Sequence, residues 1–164
     1  MKAIVYVSKT GHTKSYAEML GKATGLPIYE LEEAAGAAEK GSDIIYMGWL
    51  FASSIKGYKK AAKRYNITAV CGVGLGDTGS QTDTVRKSAG IPGNTPLFTL
   101  QGGINRAKLK GMNKFMINML TKSLGKKANP TDDDKRMLYL LTHDASYVSD
   151  ENLSEVLEWY KGLK

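Results

Sequence analysis

A hydroxyl-rich turn follows the first apolar stretch of the chain and carries the residue types that bind an anion. Ala3–Val7 predicts a buried strand, Ser8-Lys9-Thr10-Gly11-His12-Thr13 forms the turn, and a helix is predicted from Thr13 to Thr24. The N–H groups at a helix start have no partner within the helix, and the helix dipole favours negative charge there. Gly11 lets the backbone approach a ligand because it has no Cβ. Further donors are the hydroxyl groups of Ser8, Thr10 and Thr13.

This turn predicts a phosphate site, and an ordinary strand-to-helix turn capped by Thr10 or Thr13 is the alternative. The turn lacks the G-x-x-x-x-G-K-[ST] spacing, which supplies the lysine and the Mg²⁺ ligand of triphosphate sites. The bound group is therefore predicted to be a single terminal monophosphate.

Strands and helices alternate through the first two thirds of the chain. After the first strand, strands are predicted at Ile28–Leu31, Asp43–Gly48, Ile67–Val73 and Pro96–Leu100. Unbroken apolar strands separated by helices predict an α/β fold, with a doubly wound five-stranded parallel sheet covered on both faces. Ligands of such folds bind outside the carboxyl ends of the strands. The loops after the first, third and fourth strands are therefore expected to meet.

Two further loops at that edge carry distinctive residues. Trp49 to Ser54 is predicted to be an aromatic loop, and Gly74-Leu75-Gly76-Asp77-Thr78-Gly79 matches the G-x-G-x-x-G pattern between a strand and a helix. A dinucleotide site is disfavoured because no acid follows the next strand at the expected spacing.

The three loops together resemble those of the flavodoxins. Ser8–Thr13 is similar to their [S/T]-x-T-G-x-T phosphate loop, and the resemblance covers residues 1 to about 103 and the last helix. It implies the strand order 2-1-3-4-5 and a non-covalently bound FMN. The phosphate of that FMN would lie on Ser8, Thr10, Gly11, His12 and Thr13.

The same resemblance assigns the flavin ring to the two later loops. Trp49 would stack on the ring, the backbone of Leu50, Phe51, Ala52 and Ser53 would edge it, and Gly74, Leu75, Gly76, Asp77 and Gly79 would form its third side. Alternatively, Trp49 and Phe51 are simply half-buried loop anchors. Flavodoxins commonly have a stacking tyrosine shortly after this aspartate. Thr78-Gly79-Ser80 stands here instead, so one ring face is expected to be open.

The net charge of +7 is unevenly distributed, because Arg106 to Lys127 contains seven basic residues and no acid. Apolar residues recur there at helical spacing, which predicts a helix from Lys108 to Leu124 within an insertion at about residues 104–145. This helix either covers the core or offers a basic amphipathic surface to anionic lipid or an acidic partner. An extra segment at this place, after Gly102-Gly103, loosely resembles the menaquinone-dependent protoporphyrinogen oxidases, a flavodoxin-like family.

Composition narrows the class of protein. The 164 residues predict a single domain, and no membrane span or signal peptide is apparent, so a cytoplasmic location is expected. The single cysteine, Cys71, fits a reducing compartment and core packing. No catalytic nucleophile–base pair, metal-ligand cluster or specific nucleic-acid motif is found in the sequence.

These observations predict an FMN-binding, flavodoxin-like electron-transfer protein whose partner is a redox protein or a small-molecule or quinone acceptor. Two alternatives are a quinone-linked flavin oxidoreductase at a membrane surface and a flavin-free interaction module. Asp77 is the one acid in the ring loops, and Lys56 lies near one of them. We therefore expect the second flavin reduction potential to be less depressed than in an acidic electron carrier.

Overall fold

The structure, a computed structural model, describes residues 1–163. Its strands are β1 (Ala3–Val7), β2 (Ile28–Glu30), β3 (Asp43–Phe51), β4 (Ser54–Ile55), β5 (Asn66–Gly74), β6 (Leu97–Gln101), β7 (Gly103–Ile104) and β8 (Ala145–Ser146). Its α-helices are α1 (His12–Thr24), α2 (Ala34–Ala37), α3 (Tyr58–Ala62), α4 (Thr82–Ala89), α5 (Gly111–Gly125), α6 (Asp132–Thr142) and α7 (Ser154–Lys161). Short 3₁₀ turns are formed by Arg106–Lys108 and Glu151–Leu153.

The main sheet is mostly parallel and follows the order β2-β1-β3-β5-β6. The predicted α/β class with a parallel central sheet is thus confirmed. The sheet differs in detail from the predicted five strands, because β4 adds a sixth strand that pairs antiparallel with the end of β3. The carboxyl ends of β1, β3 and β5 lie at one edge of this sheet, because neighbouring strands run in the same direction.

The core has two layers, one on each face of the sheet, because successive side chains of a strand point to opposite faces. Ile4 belongs to the layer that α1 and α7 cover, together with Leu20 and Val156. Its neighbour Val5 belongs to the opposite layer, which includes Val85 of α4. The buried strands therefore have apolar residues at consecutive positions. Cys71 lies in the first layer and is fully buried, as predicted.

The segment predicted to be a loop from Trp49 to Ser54 is a β-hairpin, so that prediction is wrong. β3 continues to Phe51, and Leu50 and Phe51 pair with Ile55 and Ser54 of β4. The two turn residues, Ala52 and Ser53, have φ angles of +47° and +59°. A two-residue turn with positive φ at both positions fits the twist of a hairpin.

The insertion begins and ends in a short ribbon, in which β7 pairs antiparallel with β8. The helix predicted over Lys108–Leu124 starts later in the structure, because α5 begins only at Gly111, whose φ is +55°. Thr131 caps α6, since its hydroxyl accepts from the N–H of Asp134 and the Asp134 carboxylate accepts from the Thr131 N–H. The fold thus places two helices beside the edge of the sheet where the three loops lie.

Candidate functional site

The turn after β1 presents backbone donors as the sequence predicts. Gly11 precedes α1 with a φ of +108°, a conformation that residues with a Cβ rarely adopt. Within residues 1–163 the N–H groups of Gly11, His12 and Thr13 have no hydrogen-bond partner. Neither Thr10 nor Thr13 caps the helix. The side chain of Ser8 binds the first turn of the helix instead, because its Oγ accepts a hydrogen bond from the Lys14 N–H at 3.3 Å.

Thr13 is the polar residue of this turn that is most buried. It is 2% exposed, and no hydrogen bond of its hydroxyl is found in the part of the chain that the structure describes. No side-chain oxygen of the described residues is both fully buried and without a partner, so the Thr13 hydroxyl keeps some accessible surface, and Thr13 lines the smaller cavity. A polar ligand there would give this hydroxyl a hydrogen-bond partner. The Thr10 hydroxyl lies 3.0 Å from His12 Nδ1 and so is partly engaged.

The His12 ring faces the insertion. Its Nε2 lies 3.0 Å from the place that a Cβ would take on Gly103 of β7. Burial, and after it the positive charge of Lys108, lower the pKa of the His12 imidazole below its ordinary value. His12 is therefore neutral at pH 7, and the positive charge beside the turn comes from Lys108.

Lys108 brings the insertion to the phosphate turn. Its Nζ lies 3.8 Å from the position of a Cβ on Gly11. No ion pair of Lys108 is found among the described residues. The turn therefore combines free backbone donors, an unpaired hydroxyl and an ammonium group, a donor set that fits the oxygens of a phosphomonoester.

The hairpin contributes an aromatic pair. The rings of Trp49 and Phe51 meet edge to face with centroids 5.8 Å apart. Lys56 Nζ lies 5.6 Å from the centroid of Trp49 and 4.8 Å from that of Phe51, within the range of cation–π attraction. Both aromatic side chains are half-buried, so their rings are held in place by the hairpin itself.

The third loop packs tightly against the hairpin. A Cβ on Gly74 would lie 2.9 Å from Leu50 Cδ1, so a side chain at this position would displace Leu50. Asp77 is exposed and accepts two hydrogen bonds from the Arg136 guanidinium of α6. Gly79 forms the turn that follows, and its N–H donates to Thr99 O at 2.9 Å.

Two cavities lie between these loops and the insertion. The smaller, about 110 Å³, contains predicted site residues from all three loops, namely Thr10, His12, Thr13, Trp49, Leu50, Phe51, Gly74 and Leu75. The larger, about 640 Å³, is lined by Leu50, Phe51, Ala52, Ser53, Gly74, Leu75, Gly76 and Asp77. Four of these residues line both cavities, so the two cavities adjoin.

Three predicted site residues, Ser8, Gly11 and Gly79, lie outside both linings. Trp49 lines the smaller cavity but not the larger one. The expectation that one ring face is open stays a prediction, and residues of the insertion line both cavities. Leu109, Asn113 and Ile117 line the smaller cavity, and α5 also contributes Met116, Met119 and Leu120 to the larger one.

Sequence reasoning assigned none of these insertion residues to the site. The available signal was the recurrence of apolar residues along α5, which shows that one side of the helix is apolar but not what that side contacts. Met137 and Leu141 of α6 complete the larger cavity. The insertion is thus part of the site and not an appendage of the sheet.

The donor set and the cavities allow a phosphate-bearing ligand with a large apolar part. No group of His, Cys, Asp and Glu side chains within residues 1–163 is arranged to hold a metal ion. None of the helices in that range has the length and apolar character needed to cross a bilayer.

Comparisons with protein-family models, with curated proteins and with solved structures find no match to this chain. The class of protein therefore has to be argued from the site itself.

Proposed function

We propose that this protein is a flavodoxin-like electron-transfer protein that binds FMN without a covalent bond. The supporting observation is the convergence of three loops from β1, β3 and β5 on two adjoining cavities, with a phosphate-type donor set at one end. A monophosphate joined to an apolar ring system matches both parts of the site. On this proposal the protein works in the reducing environment of the cytoplasm, where Cys71 stays a thiol.

The turn after β1 would hold the phosphate. The N–H groups of Gly11, His12 and Thr13 and the Thr13 hydroxyl would donate to its oxygens, while the helix dipole and Lys108 would offset its charge. The neutral His12 would act through its contact with Thr10 and would add no charge.

The hairpin and the third loop would hold the ring and set its electrostatics. FMN would supply the redox chemistry, accepting and giving up electrons, and the protein would supply orientation and local charge. Asp77 is the acid nearest to this part of the site, and Arg136 offsets its negative charge. Lys56 adds a positive charge on the hairpin. This balance supports the expectation that the second reduction potential is not strongly depressed.

Titration of the purified protein with FMN, and with riboflavin as the control without phosphate, tests the proposal. We expect FMN to bind more tightly, with a change in the visible spectrum and quenching of tryptophan fluorescence. Trp49 lines a cavity, whereas Trp159 of α7 packs against Phe98 of β6. The quenching should therefore disappear in Trp49→Phe and persist in Trp159→Phe. An unchanged spectrum with both flavins would contradict the proposal and favour the flavin-free alternative.

A second candidate, a flavin-dependent oxidoreductase, is favoured by the cover that α5 and α6 form over the larger cavity. Three methionines, Met116, Met119 and Met137, line it together with Leu120 and Leu141. Methionine side chains adapt to irregular apolar ligands. An apolar cavity of about 640 Å³ suits a small substrate, such as a quinone, better than the surface of a redox protein.

Steady-state kinetics separate the two candidates. An oxidoreductase should oxidise its reduced flavin with a soluble quinone at a rate that saturates with quinone concentration. Met137→Gln, which makes the lining polar, should raise KM. A carrier should instead react with quinones in a second-order manner, and the same variant should leave that rate unchanged.

A further inference from the structure

The outer side of the insertion carries most of the large apolar side chains that the described chain exposes to solvent. Met112 is 73% exposed and Phe115 62%, followed by Met119 at 51%. Their spacing of three and four residues places them in one stripe along α5. Tyr139 of α6 is also exposed. No residue of α5 is buried, so the folded core does not account for this stripe.

The stripe lies in a strongly basic segment. Between Asp83 and Asp132 the sequence contains no acidic residue. The exposed lysines in and beside α5 are Lys108, Lys110, Lys114, Lys122 and Lys126, and no ion pair is found for any of them within residues 1–163. Lys127 differs, because it pairs with Asp134. Lys122 and Lys126 follow Phe115 and Met119 by seven residues, so helical spacing places them on the side of the stripe. Exposed methionine and phenylalanine beside these lysines are complementary to a bilayer surface, which has anionic headgroups over an apolar interior.

We propose that α5 docks on the surface of an anionic lipid bilayer, lying in the interface with Met112, Phe115 and Met119 toward the acyl chains. Helices of this kind bind by burying an apolar stripe while lysines contact lipid headgroups. Lys122 follows Met119 by three residues and so lies next to the stripe, where its long side chain reaches the headgroups.

A bilayer fits this face better than an acidic protein does. A protein interface places its large apolar groups in pockets enclosed by a rim. The stripe of α5 instead lies on the exposed part of a helix, and of its three members Met119 alone also lines a cavity. Met112 and Phe115 line neither cavity, whereas Met119 belongs both to the stripe and to the wall of the larger cavity.

Co-sedimentation with vesicles tests the proposal, with and without added FMN. The vesicles are phosphatidylcholine alone, or phosphatidylcholine mixed with phosphatidylglycerol. We expect binding to the mixed vesicles only, weakening steeply as salt is raised. Lys122→Gln/Lys126→Gln, which changes the two lysines beside the stripe, should weaken binding about 25-fold, at about fivefold per lysine. Phe115→Ser should weaken it about tenfold.

The matched control is Lys59→Gln/Lys60→Gln, which removes the same charge from exposed positions of α3. It should bind almost as well as the unmodified protein. Circular dichroism verifies that each variant is folded. The proposal is overturned if mixed vesicles are not bound at low salt, or if both double variants lose binding equally. FMN binding is a separate measurement, so either proposal can fail without the other.

Discussion

Arg136 of α6 donates two hydrogen bonds to the carboxylate of Asp77, which lies 59 residues earlier in the loop after β5. The bond from Nη1 measures 2.8 Å, and that from Nη2 reaches the other oxygen. This pair joins the insertion to the third loop of the candidate site. Asp77 therefore both holds α6 and contributes charge beside the larger cavity.

Replacing Arg136 with glutamine should loosen α6 and leave the Asp77 carboxylate without its cation. We expect faster amide exchange in α6 and weaker FMN binding. The second reduction potential should become more negative, because an unpaired carboxylate disfavours an anionic reduced flavin. Lys135→Gln is the control, since Lys135 pairs with Asp132 of its own helix. Equal effects of the two variants would show that the pair with Asp77 has no specific role.

Thr13→Val should weaken FMN binding without lowering the stability of the fold. Valine keeps the shape of threonine and removes a nearly buried hydroxyl that has no partner in the described chain. The free energy of unfolding should stay the same or rise slightly. FMN binding should weaken by about 2 kcal/mol, or roughly thirtyfold, while riboflavin binding stays unchanged. Calorimetric titration measures both, with exposed Thr84→Val as the control. A parallel loss of riboflavin binding would place Thr13 away from the phosphate.

The low pKa of His12 should make stability depend on pH. Because the folded pKa lies below the unfolded one, the unfolded chain binds the proton first as the pH falls. Stability from this group is complete above about pH 6.5 and decreases below it. NMR titration should find His12 below its ordinary pKa, and Lys108→Gln should raise that value. In urea unfolding, His12→Asn should remove part of the loss between pH 7.5 and 5.5. An ordinary pKa for His12 would contradict the burial of its ring and the nearby charge of Lys108.

Residues that favour positive φ should fit the hairpin turn and raise the stability of the protein. Ala52 and Ser53 adopt the left-handed region at φ +47° and +59°. Asparagine followed by glycine is favoured there, so Ala52→Asn/Ser53→Gly should stabilise the protein by about 1 kcal/mol. Thermal unfolding should show a rise of roughly 2–4 °C. A clear loss of stability would show that the turn has another shape.

The residues that made the sheet predictable act locally. Ile4 and Val5 belong to an unbroken apolar strand, and Gly25 ends α1 with a φ of +74° just before Pro27. Such signals fix the order of the elements and therefore bring the ends of β1, β3 and β5 to one edge. That is why Thr10, Thr13 and Gly74 could be assigned to one site from the sequence.

What the sequence did not reveal depends on contacts between distant segments. Alanine and serine are not typical of the positive φ that Ala52 and Ser53 adopt, so the hairpin had no local signal. Lys108 lies near Gly11 in an insertion whose two ends are joined by the pairing of β7 with β8, and neither relationship has a local sequence signal. The periodicity of Met116 and Leu120 showed an apolar side of α5, but its position over the cavity required the folded chain.

Helix α5 has one side toward the cavities and the other toward solvent, and none of its residues is buried. Ligand binding in the cavities and binding of a surface to α5 therefore both involve this helix. Any surface that binds α5 more strongly in one position than in another changes the ligand affinity, and the ligand changes the affinity for that surface by the same factor. If binding to a vesicle weakens ligand binding, the ligand therefore also weakens binding to the vesicle.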